Sequence, residues 1–361
     1  MEELDFGNIV LFLCYVVILI ISIPANSLII LSVSFFKDLR TPVNLLVCNL
    51  SLASLAISVL HIPFKLTSYL NPSQVSLQNK SIHFCRFLQI IPGACIISIS
   101  LTLIIICIDR YIAIIYPMKR HWKITSKRVY VFLIPCWIAA FGLSTVYILF
   151  LHIRSFYGRT YYLSRYPGSH LDINITDNYH NLVSVISFNR LLYWIAFILI
   201  AFLLPSLAMM VLYSIIAGRL WFHRNPSDRL STLTLREQYN QLKQNRSVIK
   251  ILITCFAIFI ITNLPFYVIV MLADLRIPLP LPTTVGLAIR ILGMINLSAV
   301  AFNPIIYGFS NKSITQGIYR ILLCLCCNRR LDRRDKFNTT IRIPRLGSRS
   351  FTTVVWNTAL E

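Results

Sequence analysis

The stretch FLQIIPGACIISISLTLIIICIDRY, residues 87–111, decides the fold. Its first 22 residues, 87–108, carry no charge, and they end on an adjacent acid and arginine, Asp109 and Arg110. A helix needs roughly 20 apolar residues to cross about 30 Å of hydrocarbon. The stretch therefore predicts a membrane-spanning segment with a charge pair where the hydrocarbon ends.

Six further uncharged stretches occur, at 6–36, 41–64, 129–153, 191–218, 251–273 and 291–311. The composition agrees, because 57% of residues are hydrophobic and 13% are charged, whereas a soluble domain has about 25% charged residues. Backbone groups find no water inside a bilayer, and these apolar runs are continuous rather than alternating, so helices are expected. The sequence predicts an all-α membrane protein with a seven-helix bundle. The proline-rich stretch 277–289 is expected to be a loop between spans six and seven.

Lysine and arginine set the orientation. With the N-terminus outside, nine of the 34 Lys and Arg residues face out and the remaining 25 face the cytoplasm, as the positive-inside rule requires. The net charge of +21 is thus a signal of topology in a multi-pass plasma membrane protein, and it suits anionic membrane lipids of the inner leaflet. A nucleic-acid partner would need a soluble basic domain, and the sequence contains none.

Four regions follow from this topology. They are a short extracellular N-terminus (1–8), the transmembrane domain (9–310), an amphipathic eighth helix at the inner face (311–327) and a basic cytoplasmic tail (328–361). The longest outer loop covers 154–190 and is polar and aromatic. Asn79 and Asn174 lie in outer loops within glycosylation sequons.

The cysteines do not form a disulfide framework. Six of them lie in spans, and Cys85 is alone at the outer face, so no disulfide is expected. Cys324, Cys326 and Cys327 end the eighth helix and are candidates for palmitoylation, with ordinary reduced cysteines as the alternative.

Several classes of seven-helix protein are excluded. The seven uncharged spans hold no acid, lysine or arginine for a proton relay or ion coupling. Span seven has no lysine to hold retinal, and His61, near the outer end of span two, is the one histidine available to an intramembrane protease. We therefore expect neither an enzyme nor a cofactor.

An ordered set of motifs identifies the family. In chain order these are PANSLII (24–30), NLLVCNLSLAS (44–54), Asp109-Arg110-Tyr111, Trp137, Pro205 with Tyr213, FIITNLPF with Phe259 and Pro265, and NPIIY with Asn303, Pro304 and Tyr307. One motif falls in each span at the expected depth. The chain resembles class A (rhodopsin-like) G-protein-coupled receptors over about residues 9–327. Its DRYIAIIYP and NPIIYGF wording is most similar to neuropeptide receptors.

The resemblance implies a switch at the inner face. Asp109 would hold Arg110 at rest, and Arg110 would then meet Tyr213, Tyr307 and a heterotrimeric G protein when helix six moves outward. Interior prolines remove a backbone hydrogen bond and bend a helix, so Pro205, Pro265 and Pro304 are expected to act as hinges. The resemblance also implies arrestin and a receptor kinase as partners.

The chain departs from the family pattern at several positions, and three of them concern the switch. Ser54 replaces the aspartate that binds sodium, Asn263 replaces the helix-six tryptophan, and Asn245 replaces the helix-six acid that pairs with the arginine. No sodium or other metal site is expected. We hypothesise elevated basal activity, because restraints on the resting state are missing. A receptor with weak or no coupling is the competing hypothesis.

The ligand pocket that the resemblance implies is apolar and aromatic. Pro92 occupies the position of the aspartate that binds biogenic amines, so an amine ligand is disfavoured. The expected pocket and its mouth comprise Gln89, Pro92, Phe197, Asn263, Phe266, Tyr267, Val270, Asp274, Ile289, Arg290, Gly293 and Leu297. An extracellular peptide is the favoured ligand, and a lipid ligand or an orphan receptor of the same fold is the alternative. A non-signalling seven-helix transporter or scaffold is the alternative from a different class.

Overall fold

The computed structural model describes residues 6–70, 82–116, 122, 124–149, 151–156, 159–164, 188–222, 235–275 and 282–327. Within these ranges, seven helices are long and apolar enough to cross a membrane. The predicted seven-helix bundle is therefore confirmed.

The helices are numbered here by the span they form. Helix one is Phe6–Phe35, helix three is Ile82–Ile115, helix four is Ser126–Leu149, helix six is Leu235–Asp274, helix seven is Pro282–Ser310 and helix eight is Lys312–Cys327. Helix two is formed by Pro42–Ala56 and Ile62–Leu70 around a π-helical turn at Ile57–His61. Helix five is formed by Phe188–Ile198 and Leu204–Phe222 around a π-helical turn at Leu199–Leu203.

Each of the two π-helical turns lies just before a proline. Pro63 follows the turn in helix two, and Pro205 follows the turn in helix five. A proline ring clashes with the carbonyl four residues earlier in a regular helix. A wider turn changes the position of that carbonyl, so both helices continue past their prolines instead of ending there.

The prediction of a loop at 277–289 is only partly correct. Helix seven begins at Pro282, so residues 282–289 are helical. Proline is favoured at the first helical position, because its missing N–H would have no partner there and its φ angle already suits a helix. The charge-free run alone could not show that the proline-rich segment contains a helix start.

Span four also ends earlier than the charge pattern suggests. Helix four stops at Leu149, and strand β1 (Leu151–Phe156) pairs antiparallel with strand β2 (Arg159–Ser164). Leu151 lies opposite Ser164, and Phe156 lies opposite Arg159. The outer loop therefore opens with a β-hairpin, which the sequence analysis did not predict.

Helix three is the centre of the bundle and packs against helices two, four and five, while helix seven packs against helices one, two and six. Ile97 and Ile106 of helix three are fully buried. Helix four instead exposes Val131, Ile134 and Ile138. Because acyl chains are as apolar as these side chains, such exposure is ordinary for a face that meets lipid.

Helix eight packs against the inner end of helix one and the short turn at Lys37–Leu39. Ile314 and Ile321 are buried beneath it, and the Arg320 guanidinium lies 3.7 Å from the Asp38 carboxylate. Asn311 Nδ2 donates to Asn44 Oδ1 at 2.7 Å, which joins the start of helix eight to helix two. The side chains of Cys324, Cys326 and Cys327, the candidate palmitoylation sites, lie outside the described part.

Candidate functional site

The charge pair of the opening motif lies in the last turns of helix three. The Arg110 guanidinium is 3.2 Å from the Asp109 carboxylate, and the two side chains are 28% and 12% exposed. Arg110 Nε is buried and makes no hydrogen bond within the described residues. The arginine is therefore held by its neighbour while one of its donors still has bonding capacity.

Tyrosines lie on two sides of this charge pair. The Tyr213 side chain of helix five lies beside the Cys107 side chain of helix three, one turn before Arg110. Tyr111 makes an edge contact with Tyr116, whose ring makes a second edge contact with Trp122. Tyr213 is thus next to the charge pair, whereas Tyr111 packs toward the second inner loop.

Two predicted members of the inner site fall partly outside the description. The backbone at Asn245 and Tyr307 is helical, but their side chains lie outside the described part. Asn303 and Pro304, four and three residues before Tyr307, are buried. The backbone accordingly fixes where the NPIIY motif lies, though not where its tyrosine ring points.

Asn263 connects helices six and seven in the middle of the bundle. Its Nδ2 donates to Phe259 O at 2.7 Å and to Thr262 Oγ1 at 2.9 Å, and its Oδ1 accepts from Asn296 Nδ2 at 2.8 Å. The indole of a tryptophan offers only a donor, so it could not accept the bond from Asn296. The asparagine therefore forms a direct polar bridge between the two helices.

The position of the usual sodium carboxylate is neutral here. Asn303 Nδ2 donates to Ser54 Oγ at 3.4 Å, and Ile99, Ala299 and Val300 line the adjoining cavity. That cavity is about 10 Å³, which is about the space that one water needs. Hard cations bind through several oxygen ligands, among them carboxylates, so these residues do not fit a sodium ion.

The expected ligand pocket contains an aromatic cluster. The Phe197 ring centroid is 5.0 Å from that of Tyr267, and Phe266 meets Tyr267 edge-on at 5.2 Å. Phe197 and Tyr267 are almost fully buried. A Cβ at Gly293 would lie 3.3 Å from the Phe266 ring, so the ring of helix six packs directly on the backbone of helix seven.

The other predicted pocket residues divide into three sets. Pro92, Asn263 and Leu297 line the small cavity below the aromatic cluster. Val270 and Ile289 are half-buried, and Arg290 Nη1 donates to Asn8 Oδ1 of helix one at 3.0 Å. The side chains of Gln89, Asp274 and Cys85, and all of Asn79 and Asn174, lie outside the described residues.

The sequence analysis missed Phe202, which connects the outer and inner parts of the bundle. Its ring stacks on Phe259 at 5.7 Å and lies 5.7 Å from Tyr267. Phe197, Phe202 and Phe259 therefore form a continuous row of rings from the outer cluster to the Asn263 bridge. An apolar run in a membrane span does not show which of its phenylalanines faces inward.

The sequence analysis also missed a role of buried polar side chains. They donate hydrogen bonds to backbone carbonyls that lack a helical donor because a proline follows four residues later. Pro304 leaves Val300 O without its helical donor, and this oxygen accepts from Asn26 Nδ2 at 3.0 Å and Ser22 Oγ at 3.2 Å. Pro92 leaves Leu88 O free in the same way, and His61 Nδ1 lies 3.3 Å from it. Neighbouring helices supply such bonds because the bilayer core cannot. Counting four residues back from each proline would have identified both carbonyls.

Comparison with known proteins yields one family and a group of distant relatives. The model of the family "7 transmembrane receptor (rhodopsin family)" matches residues 25–307. A QRFP-like peptide receptor of Branchiostoma floridae is 26% identical over 312 residues, which are 86% of this chain and 76% of the relative. A tachykinin-like peptides receptor 86C of Drosophila melanogaster is 25% identical over 313 residues, 85% of this chain and 57% of the relative. A neuromedin-K receptor of Cavia porcellus is 26% identical over 309 residues, 85% of this chain and 64% of the relative.

Proposed function

Because the chain belongs to the rhodopsin family of seven-transmembrane receptors, we propose that it senses an extracellular peptide and activates a heterotrimeric G protein. The expected resemblance to neuropeptide-type receptors is confirmed by the names of the relatives. The family consists of receptors rather than enzymes, and its members are multi-pass plasma membrane proteins.

The proposal that a G protein binds at the inner face is based on the Asp109–Arg110 pair of helix three. A charged arginine that is partly buried at the membrane boundary costs free energy unless an opposite charge is near it. The carboxylate of Asp109 lies 3.2 Å from the Arg110 guanidinium and supplies that charge. Outward movement of helix six would open the inner face beside Arg110 and Tyr213. A G protein could then bind there, with arrestin and a receptor kinase as later partners of the same face.

The case for a peptide comes from the relatives and from the pocket. Two of the three relatives described above are named as peptide receptors, and the third is named as a receptor for neuromedin K. Pro92 leaves no carboxylate in the helix-three position for an amine. Phe197 provides apolar contact area, and the Tyr267 ring adds a polar hydroxyl. These features favour a peptide over an amine, and the relatives favour a peptide over a lipid.

Elevated basal activity is a separate part of the proposal. Ser54 and Asn245 are neutral at the two positions where the family places acids that restrain the resting state. Asn263 bridges helices six and seven where the family places a tryptophan. If the absence of the two acids weakens the resting state, the receptor should activate a G protein without ligand. Basal signalling at the level of untransfected cells would contradict this part alone.

The experiment is a screen of amidated and free-acid peptides on cells that express the receptor together with activation sensors for each G-protein class. Arg290→Ala and Asp274→Ala variants are tested in parallel at equal surface density. We expect a peptide to activate the wild type, and a peptide with a basic end to lose potency in Asp274→Ala. Activation by anionic lipids that depends on Arg290, with no active peptide, would replace the peptide with a lipid. No response to either, and no basal signal, would contradict the receptor function and favour the scaffold alternative.

A further inference from the structure

The side chain of Ser144 on helix four is buried, and its hydroxyl has no hydrogen-bond partner among the described residues. Other hydroxyls of the bundle behave differently, since Ser58, Thr102 and Thr262 each donate to the carbonyl four residues earlier in their own helix. Ala140 O is the corresponding acceptor for Ser144, but the Ser144 hydroxyl does not bond to it. The hydroxyl therefore lacks the bond that serines and threonines of the other helices make.

The missing partner of Ser144 lowers the stability of the folded chain. A buried hydroxyl loses its bonds to water, and this one gains none in return. Most buried polar side-chain atoms in proteins are hydrogen-bonded, so an exception needs a physical explanation. A role in packing alone would be filled better by alanine, which is small and has no polar atom. The Ser144 hydroxyl is therefore a group that a ligand from outside the chain can satisfy.

The Ser144 hydroxyl faces the space beside Gly93 of helix three. A Cβ at Gly93 would lie 3.0 Å from Ser144 Oγ and 4.0 Å from Phe197 Cε2, a ring carbon of helix five. Ser144 and Phe197 provide the nearest atoms, so among the described residues no third side chain lies closer to the position that Gly93 leaves vacant. The Ser144 hydroxyl, the Gly93 backbone and the Phe197 ring edge therefore border one space between helices three, four and five.

This space adjoins the expected ligand pocket. Phe197 belongs to the outer aromatic cluster, where its ring centroid is 5.0 Å from that of Tyr267. Ser144 lies five residues before the outer end of helix four at Leu149, which is about 8 Å along the helix at 1.5 Å per residue. A ligand that enters from outside would therefore reach the Ser144 hydroxyl without crossing the bundle.

The surroundings of Ser144 specify the kind of group that fits. The hydroxyl offers an O–H donor, so its partner must be an acceptor. Gly93 and the ring of Phe197 are uncharged, and a carboxylate brought between them would lose hydration without meeting an opposite charge. A neutral carbonyl oxygen, such as that of a peptide bond or a side-chain amide, meets both conditions.

We propose that Ser144, Gly93 and Phe197 form a ligand subsite between helices three, four and five that binds a neutral carbonyl oxygen of the extracellular peptide. This inference rests on the proposed function for its peptide and adds the chemical group that the peptide presents at this depth. Ser144 donates the hydrogen bond, Gly93 leaves the room, and the Phe197 ring packs against the apolar atoms next to the carbonyl. The subsite thus favours ligands that bring an acceptor to the unpaired hydroxyl.

The first test is the melting temperature of the purified receptor without ligand. Ser144→Ala removes an unpaired hydroxyl and should raise the melting temperature. Ser58→Ala is the matched control, because Ser58 Oγ donates to Ser54 O at 2.8 Å and lies 2.6 Å from Ser22 Oγ. The same substitution there removes satisfied bonds and should lower the melting temperature. A lower melting temperature in Ser144→Ala would show that this hydroxyl stabilises the empty receptor, and it would overturn the proposal.

The second test uses two small probes of nearly the same shape, acetophenone and α-methylstyrene. Acetophenone has a C=O group where α-methylstyrene has C=CH₂, so only acetophenone accepts a hydrogen bond. We expect the ratio of their affinities for the receptor, measured in one detergent, to fall about five- to tenfold in Ser144→Ala, the effect of one hydrogen bond. The carbonyl stretching band of bound acetophenone should lie at lower frequency in the wild type than in this variant. Gly93→Ala keeps the donor but places a Cβ 3.0 Å from it, and it should lower the ratio as well.

These measurements separate the subsite from the proposed function, because they need neither a G protein nor an active peptide. If no peptide activates the receptor, the proposed function fails, while the two probes still test the hydroxyl of Ser144. An affinity ratio and a carbonyl band that are the same in the wild type and in Ser144→Ala would overturn the inference. A wild type that binds neither probe would overturn it too.

Discussion

Asn263 makes three hydrogen bonds at the centre of the bundle, and one of them joins helix six to helix seven. The bridge is short, buried and formed by two neutral amides. Such a bond contributes about 1 kcal/mol to stability, and a partner left unsatisfied after a single substitution costs about 1–3 kcal/mol. Asn263 and Asn296 should therefore behave as one unit in mutagenesis.

We predict that Asn263→Ala and Asn296→Ala each lower the melting temperature of the purified receptor, and that the double variant falls no further than the more damaging single variant. The physical reason is that either substitution already removes the shared bond. Thermal unfolding of the four proteins in one detergent measures this. Additive losses would mean that the two amides do not interact in the folded protein.

The Asp109–Arg110 pair allows a second prediction at this scale. Asp109→Asn keeps the shape of the side chain but removes the charge that holds Arg110. We expect basal signalling to rise about fivefold, equivalent to about 1 kcal/mol for a half-buried ion pair. Sensors for G-protein activation, read at equal surface density, measure the change.

Asp38→Asn is the matched control for this prediction. It weakens the ion pair of Asp38 with Arg320, whose atoms are 3.7 Å apart and where Asp38 is 43% exposed. Exposed pairs contribute little, so basal signalling should be unchanged. If both variants raise basal signalling equally, the cause is the loss of any acid at the inner face and not the release of Arg110.

The position of Asn263 followed from the sequence, because the LP of FIITNLPF fixes its place in the motif. Its partner did not, since Asn296 lies 33 residues away and many polar residues of helix seven could have faced it. Phe202 was missed for the same reason. In a continuous apolar run, the identity of a residue does not reveal which face of the helix it occupies, and only the packed bundle decides that.

Among the helices, helix eight depends on close packing at one glycine. A Cβ at Gly317 would lie 2.5 Å from Leu39 Cδ1 and 3.1 Å from Ser32 Cβ. The backbone of helix eight therefore lies close to Leu39 and Ser32, which would have to shift to admit a larger residue. The other contacts of helix eight, including the Arg320 guanidinium 5.3 Å above the Phe36 ring, depend on this approach.

We predict that Gly317→Val destabilises the receptor by about 1–3 kcal/mol through overpacking. The expected result is a lower melting temperature and less protein at the cell surface. Gly142→Ala is the matched control, because a Cβ there has no neighbour within 4 Å and alanine favours helix over glycine. A normal melting temperature for Gly317→Val would show that helix eight does not dock as described.

Helix six differs from helices three, five and seven in how its proline is accommodated. The carbonyl that Pro265 leaves free is that of Ile261, a residue that is 66% exposed, and no side chain in the described residues bonds to it. The freed carbonyls of Leu88, Ala201 and Val300 all have such partners. Helix six therefore has the least restrained of these four bends.

We predict that Pro265→Ala weakens ligand-stimulated signalling and raises the melting temperature, because the new N–H can bond to Ile261 O and straighten the helix. Dose–response curves for G-protein activation measure the first effect. Pro135→Ala is the control, since it restores an N–H on the lipid-exposed face of helix four and should leave signalling intact. Full signalling in Pro265→Ala would contradict a hinge at this proline.

At this scale the sequence predicted the elements better than their ends. Seven uncharged runs were enough for seven helices, since a span must be long and apolar. The start of helix seven at Pro282 and the hairpin that pairs Leu151 with Ser164 were missed. Both lie near the outer surface, where water can satisfy backbone groups and the membrane no longer imposes a helix.

Across the whole molecule, a row of ring contacts runs from the outer cluster to the middle of the bundle. Tyr267 and Phe197 belong to the outer cluster, Phe202 and Phe259 continue the row inward, and the Asp109–Arg110 pair lies separately at the inner end of helix three. A ligand that changes the outer cluster would reach helix six through this row. Asp109, Arg110 and Tyr213 match the family pattern at the inner face, while Ser54 and Asn263 in the middle of the bundle and Asn245 on the inner part of helix six depart from it.

The most direct test of the central claim is guanine nucleotide exchange on each class of heterotrimeric G protein, in membranes that hold equal amounts of the wild type or of Arg110→Ala. We expect the wild type to accelerate exchange on at least one class, alone or with an activating peptide, and Arg110→Ala to lose that acceleration. Exchange no faster than in empty membranes for every class, or acceleration that Arg110→Ala leaves unchanged, would contradict the account.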